Sequence, residues 1–254
     1  MSADGKLLDV EDKELSADDL KLLQEFDELK NVEQLYLSHN ELDAEGIEVL
    51  CHPDSFPNLK SLYLNHNLIG DPEAEMLAKS GLVKNLNCLM LEANAVGVKG
   101  TEALAISTNF QVLETLFLDN NPIGAEGVKI VAASTQFPSL RALHLDSTGM
   151  GDEGAIALAQ APTLAQLTKL YLCSNHIEND GAIALSNSPH LKNLIVLSLW
   201  RNDIRDKGGK AIAGSPTFGK LERLYMSLNL IDRPVRKIIR QSELAARLKT
   251  LVMD

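Results

Sequence analysis

The sequence predicts an α/β solenoid in which one strand–helix unit repeats every 27 residues. Two observations predict it. Leu8, Leu35, Leu62, Leu89, Leu116, Leu143, Leu170, Leu197, Leu224 and Leu251 are spaced 27 residues apart. Around them recurs L-x-x-L-x-L-x-x-N-x-I, read in "LKSLYLNHNLI", "LETLFLDNNPI" and "LTKLYLCSNHI". Self-similarity at such a period marks stacked units that bury a core only against their neighbours. Nine units from Gly5 and a terminal strand ending at Asp254 take up nearly all 254 residues.

Each element of the unit follows from its spelling. In "LYL" the apolar residues alternate, which is a short strand with one face on the core. A column of Asn40, Asn67, Asn94, Asn121, Asn175, Asn202 and Asn229 comes next. Its amides carry both donor and acceptor, so stacked copies can form a ladder over an otherwise unpaired turn. Thr148 replaces the amide in the sixth unit, where the ladder is expected to thin. A helix follows, as in "GDEGAIALAQ". Asp71, Asp152, Asn179 and Asp206 are expected as its N-caps, with Pro72 and Pro234 in the first turn. Gly46, Gly100, Gly127, Gly154, Gly181 and Gly208 share one column, which points to close helix packing. Phe56, Phe110, Phe137 and Phe218, each three residues before a strand motif, are expected to close the core behind the helices.

These units resemble the ribonuclease-inhibitor-like leucine-rich repeats, also seen in RanGAP and at the C-termini of NOD-like receptors. The resemblance covers residues 5–254 and implies a curved horseshoe, with a parallel sheet on the concave face and helices on the convex face. It implies a recognition scaffold. The subfamily hosts inhibitors, GTPase activators, sensors and effectors, so fold alone does not set function. Expected boundaries are an N-terminal capping repeat at 1–31, seven regular repeats over 32–220, and a last repeat with a basic capping helix and terminal strand at 221–254.

Composition narrows the class. A formal charge of −11 argues against general nucleic-acid binding. There is no run of about 18 apolar residues for a membrane span and no apolar leader near the N-terminus. Three well-separated cysteines fit neither a disulfide framework nor a zinc site, and a cytoplasmic location is expected. No cofactor or metal is expected, and no catalytic role. "GMGDEG" matches a dinucleotide fingerprint, but the repeat pattern accounts for Gly151 and Gly154, and no acidic residue ends the next strand.

Register identifies the expected contact surface. Tyr36, Tyr63, Phe117, His144, Tyr171 and Tyr225 lie in the column between the strand leucines, which holds all four tyrosines. Two residues on, Glu92, Asp119 and Asp146 occupy consecutive units and are expected to form an acidic row for a basic protein partner. Trp200 and Arg201, adjacent on the rim, are an interface-type pair. A regulator of an enzyme such as a small GTPase is the alternative reading. Charge is also polarised: residues 1–50 carry −11 and residues 201–254 carry +6. Weak head-to-tail self-association is therefore a third expectation.

Overall fold

A computed structural model describes residues 1–53 and 55–254. The chain divides into two compact units, residues 1–122 with 134–140, and residues 123–133 with 141–254. In the first, β1 (Leu7–Asp9), β2 (Gln34–Tyr36), β3 (Ser61–Tyr63), β4 (Cys88–Met90) and β5 (Thr115–Phe117) alternate with α1 (Ala17–Gln24), α2 (Ala44–Leu50), α3 (Asp71–Lys79) and α4 (Val98–Ile106). In the second, α5 (Gly124–Ala133) precedes β6 (Ala142–His144), β7 (Lys169–Tyr171), β8 (Val196–Ser198), β9 (Arg223–Tyr225) and β10 (Thr250–Val252). Between and after these strands run α6 (Gly151–Gln160), α7 (Asn179–Ser186), α8 (Asp206–Ala213), α9 (Arg233–Arg240) and α10 (Glu243–Arg247). Strands pair in parallel in chain order within each unit, always in a 27-residue register such as Leu35↔Leu62 and Leu170↔Leu197.

The strand leucines of successive repeats stack into a buried core, as do Phe56, Phe110, Phe137 and Phe218 at its far end. The asparagine ladder forms as the sequence predicts. Asn67 Oδ1 accepts from the backbone N–H groups of Asn40 (3.1 Å) and Leu42 (2.9 Å) in the preceding repeat. Its amide donates to Leu64 O and back to Leu37 O. At Thr148, where the ladder is expected to thin, the link to the following repeat is present. Asn175 Oδ1 accepts from Thr148 N (2.9 Å) and Gly149 N (3.0 Å) and lies 2.9 Å from the Thr148 hydroxyl. The turn is held by the neighbour's amide, whatever residue stands in its own ladder position.

The helix starts differ from expectation. Asp71, Asn179 and Asp206 are the first residues of α3, α7 and α8, and Asp152 is the second of α6; the caps are Gly70, Glu178, Arg205 and Met150. The acidic and amide side chains reach across to the next helix instead. Asp71 Oδ1 accepts from Gly97 N (2.7 Å) and Gly100 N (2.8 Å), the cap and third residue of α4. Asn179 does the same for Arg205 N and Gly208 N in α8. Asp152 takes Glu178 N, and Asp206 takes Asp232 N. This bears on Gly100, Gly181 and Gly208, whereas at Gly46 and Gly154 an added Cβ would meet the preceding Leu42 and Met150 side chains. A Cβ on Gly100 would lie 2.8 Å from Asp71 Oδ1, and one on Gly181 2.5 Å from Asp152 Oδ1. At Gly100 and Gly208 glycine keeps the N–H open to the neighbour's oxygen.

A second ladder, unnoticed in the sequence, closes the opposite end of the helices. The hydroxyls of Ser107, Ser134, Ser188 and Ser215 donate to the carbonyls of Ala78, Ala105, Ala159 and Ser186, each 29 residues earlier. These are last-turn helix carbonyls, which have no intrahelical partner.

Candidate functional site

The residue before each ladder position, whether Asn, Lys13 or Thr148, adopts a left-handed conformation with φ between +52° and +58°. Asp12, His39, His66, Ala93, Asn120, Ser147, Ser174, Arg201 and Leu228 all do so. The bend lets its N–H donate to the next repeat, as His39 N does to Asn65 O (3.0 Å) and Arg201 N to Ser227 O (2.9 Å). Each strand end is thus held by its neighbour, and the side chains on the strand side are rigidly mounted.

In the first unit, Tyr36 and Tyr63 stack with ring centroids 4.0 Å apart and planes 6° from parallel. Burial and the Tyr36 hydroxyl push the Tyr63 phenol well above its ordinary range, so it stays protonated. Register places Met90 and Phe117 next in this column. On the rim, His39 and His66 also stack, at 4.2 Å. Among the described residues, Asn65 Oδ1, two positions beyond Tyr63, is a buried acceptor without a hydrogen-bond partner. Glu92 occupies the equivalent position one repeat later and lies 3.4 Å from the Asn120 amide. A groove at the start of the unit is lined by Asp9, Glu11, Asp12, Lys13 and His39.

In the second unit, His144 stacks on Tyr171 at 4.1 Å. Burial, aided by Lys169, pushes the His144 imidazolium down to about 4, so at neutral pH the ring is uncharged. Ser198 follows in the column, buried with its hydroxyl 3.0 Å from Cys173 Sγ, and Tyr225 comes next. Burial pushes the Cys173 thiol up to about 12, which makes it inert as a nucleophile. Asp146 Oδ1 accepts from Cys173 N at 2.6 Å. Trp200 is 37% exposed, and Arg201 beside it is exposed.

The predicted aromatic residues all fall on the strand side. The acidic row is corrected at one position: Asp119 is only 6% exposed, whereas Glu92 and Asp146 are half-buried. Exposed Lys169 and Arg223 on the same side of the second unit were missed. They occupy the third strand-side column, with Gln34, Ser61, Cys88 and Thr115, and lining up that column at 27-residue spacing finds them.

Comparison with known proteins agrees with this architecture. A family model described as "Leucine Rich repeat" matches residues 28–51, 57–78, 138–159, 165–186 and 190–213. The fold is an α/β leucine-rich-repeat solenoid. Among solved structures, 179 chains match. One is a TDR receptor, 20% identical over 88% of this chain, with a TM-score of 0.50. The chain spans 34% of that receptor's length, and the likeness at this identity is one of fold. No curated protein matches. Among the described residues no cluster of three or more metal-ligating side chains is present, and no helix is long and apolar enough to cross a membrane.

Proposed function

We propose that the protein is a non-catalytic interaction module that holds a basic segment of a protein partner on the strand side of its first unit. The observation that carries this reading is the Tyr36–Tyr63 stack. Stacked tyrosines give a large, rigid contact area with little side-chain entropy left to lose. Glu92 and the acidic groove at Asp9, Glu11 and Asp12 supply the complementary charge. In the second unit, His144, Tyr171 and Tyr225 are further anchors of the same kind, with Asp146 adding charge. The even strand–helix units suit the ribonuclease-inhibitor-like subclass, and three unpaired cysteines suit a reducing, cytoplasmic compartment.

The test immobilises the wild-type chain, a Tyr36→Ala/Tyr63→Ala variant and a Glu11→Gln/Glu92→Gln variant, and identifies what each retains from source-cell lysate by mass spectrometry. A basic protein held by wild type, lost from the tyrosine variant and weakened by the glutamine variant is expected. Identical captures from all three chains would remove the strand side of the first unit as the site.

A further inference from the structure

The helices α1 and α9 carry opposite charge, and the 27-residue period shows which of their residues face a neighbouring helix. In α3, α6 and α7 the following helix is met by Asp71 and Ala74, Asp152 and Ala155, and Asn179 and Ala182; a Cβ added to Gly100, Gly181 or Gly208 would touch each pair in turn. In α9 the same two columns hold Arg233 and Arg236. A third column, buried as Ala78, Ala105 and Ala159, holds the exposed Arg240. Three arginines thus stand where α3 and α6 pack on their neighbour. Among the described residues none of the three has a carboxylate within ion-pair distance, and Arg240 donates to the Met253 carbonyl. Over residues 232–247, Asp232 and Glu243 face five cations, Lys237 and Arg247 included. Asp206 on α8 accepts from Asp232 N at 2.8 Å.

The first helix has the complementary flank. Gly100, Gly181 and Gly208 mark the column that faces the preceding helix, and in α1 that column holds Asp19. Ala103, which lines a groove with Ala78 and Lys79 of α3, shares its column with Leu22. Leu22 is 57% exposed, and so is Phe26 one turn later. Asp18 and Glu25 lie one turn to either side of Leu22, on the same face, and both are exposed. Lys21, the single cation of α1, is already bound by Asp18 at 3.0 Å and Glu45 at 3.1 Å.

We propose that the chain associates head to tail, the flank of α9 in one copy receiving α1 of a second, with Arg233, Arg236 and Arg240 against Asp18, Asp19 and Glu25. The aliphatic stems of the arginines then cover Leu22 and Phe26. Complementary charge selects the second copy as the occupant, since an arginine row without carboxylate partners meets an acidic flank that every copy carries. Like flanks repel, so the contact is heterologous and not a symmetric pairing of one surface with itself. Opposite charges already join neighbouring helices in Lys21–Glu45 and Lys129–Glu153. Neither flank includes the Tyr36–Tyr63 stack, so this contact and the site for a basic segment stand or fall separately.

Sedimentation velocity of the 254-residue chain, over a concentration series reaching about 1 mM, should show association that weakens as salt rises. Two variants separate the faces: Arg233→Gln/Arg236→Gln/Arg240→Gln, and Leu22→Ser/Glu25→Gln/Phe26→Ser. Each alone should self-associate at least tenfold more weakly than wild type. In an equimolar mixture one variant keeps α1 and the other keeps α9, so a 1:1 pair of wild-type affinity should return, with no larger species. That recovery also shows that both variants are folded. Tyr36→Ala/Tyr63→Ala should associate as wild type does. A wild type that stays monomeric, association unmoved by salt, undiminished association of either variant alone, or no pair in the mixture would overturn the proposal. So would a monomeric chain whose arginine flank binds poly-glutamate; the occupant would then be an acidic partner protein.

Discussion

His144 shows how one side chain couples the contact surface to stability. Its ring lies on Tyr171, and burial holds its conjugate acid at about 4 against an ordinary value of 6.5. Above pH 6.5 the ring is neutral in folded and unfolded chains alike, and titration contributes nothing. Between pH 6.5 and 4 the unfolded chain binds a proton that the folded chain does not. Stability from this group therefore falls as pH drops, by about 2–3 kcal/mol across the window. Denaturant titrations at pH 7 and pH 4.5 should show that loss in wild type. His144→Phe, which keeps a ring against Tyr171, should remove that part of it. An equal pH dependence in both chains would show that His144 is not held neutral. The same burial makes His144 an aromatic anchor at neutral pH, not a positive charge.

At the level of helices and turns, the unit of organisation is the pair of neighbouring repeats. The sequence shows aspartate and asparagine near helix starts, and short-range capping rules assign each to its own helix. Asp43 and Ser16 obey that rule, with Asp43 accepting from Glu45 N and Gly46 N and Ser16 accepting from Asp19 N. Asp71, Asp152, Asn179 and Asp206 serve the following helix, because 27 residues later the chain has made one full turn of the solenoid. Nothing within one repeat reveals this; Gly100, Gly181 and Gly208, which face the reaching oxygens, are its sequence trace. The serine ladder escaped notice for the same reason, since its acceptors are backbone carbonyls that leave no spelling. Removing the carboxylate in Asp71→Ala should cost about 1–2 kcal/mol by orphaning the Gly97 and Gly100 N–H groups. Gly100→Ala should cost more, because its Cβ would also meet Ala74 Cβ at 3.1 Å. Together the two changes should destabilise by less than their sum, since the first removes the oxygen that the second clashes with. Strict additivity in urea denaturation would mean that the two residues do not interact.

The period of 27 made the fold legible because it exposes strand, turn and helix at once in every copy. It also placed the aromatic column, since side-chain direction in a strand follows from alternation alone. The burial of Asp119 and the exposed Leu228 were not legible in the same way, because exposure depends on what neighbouring side chains cover. Every hydrogen-bond ladder here joins adjacent repeats, so stability should behave as a sum of nearest-neighbour terms, with damage that stays local. Asn175 is the strongest test within the second unit. Its oxygen serves Thr148 N and Gly149 N, and its amide donates to Leu145 O. Asn175→Ala leaves these buried groups unpaired, at about 3 kcal/mol or more. Amide hydrogen exchange in the variant should accelerate across residues 145–160 and 172–186 and remain close to wild type in α9 and α10. Uniform acceleration from residue 142 to residue 252 would instead show that the unit opens as one cooperative block, with the ladder as its common fastener.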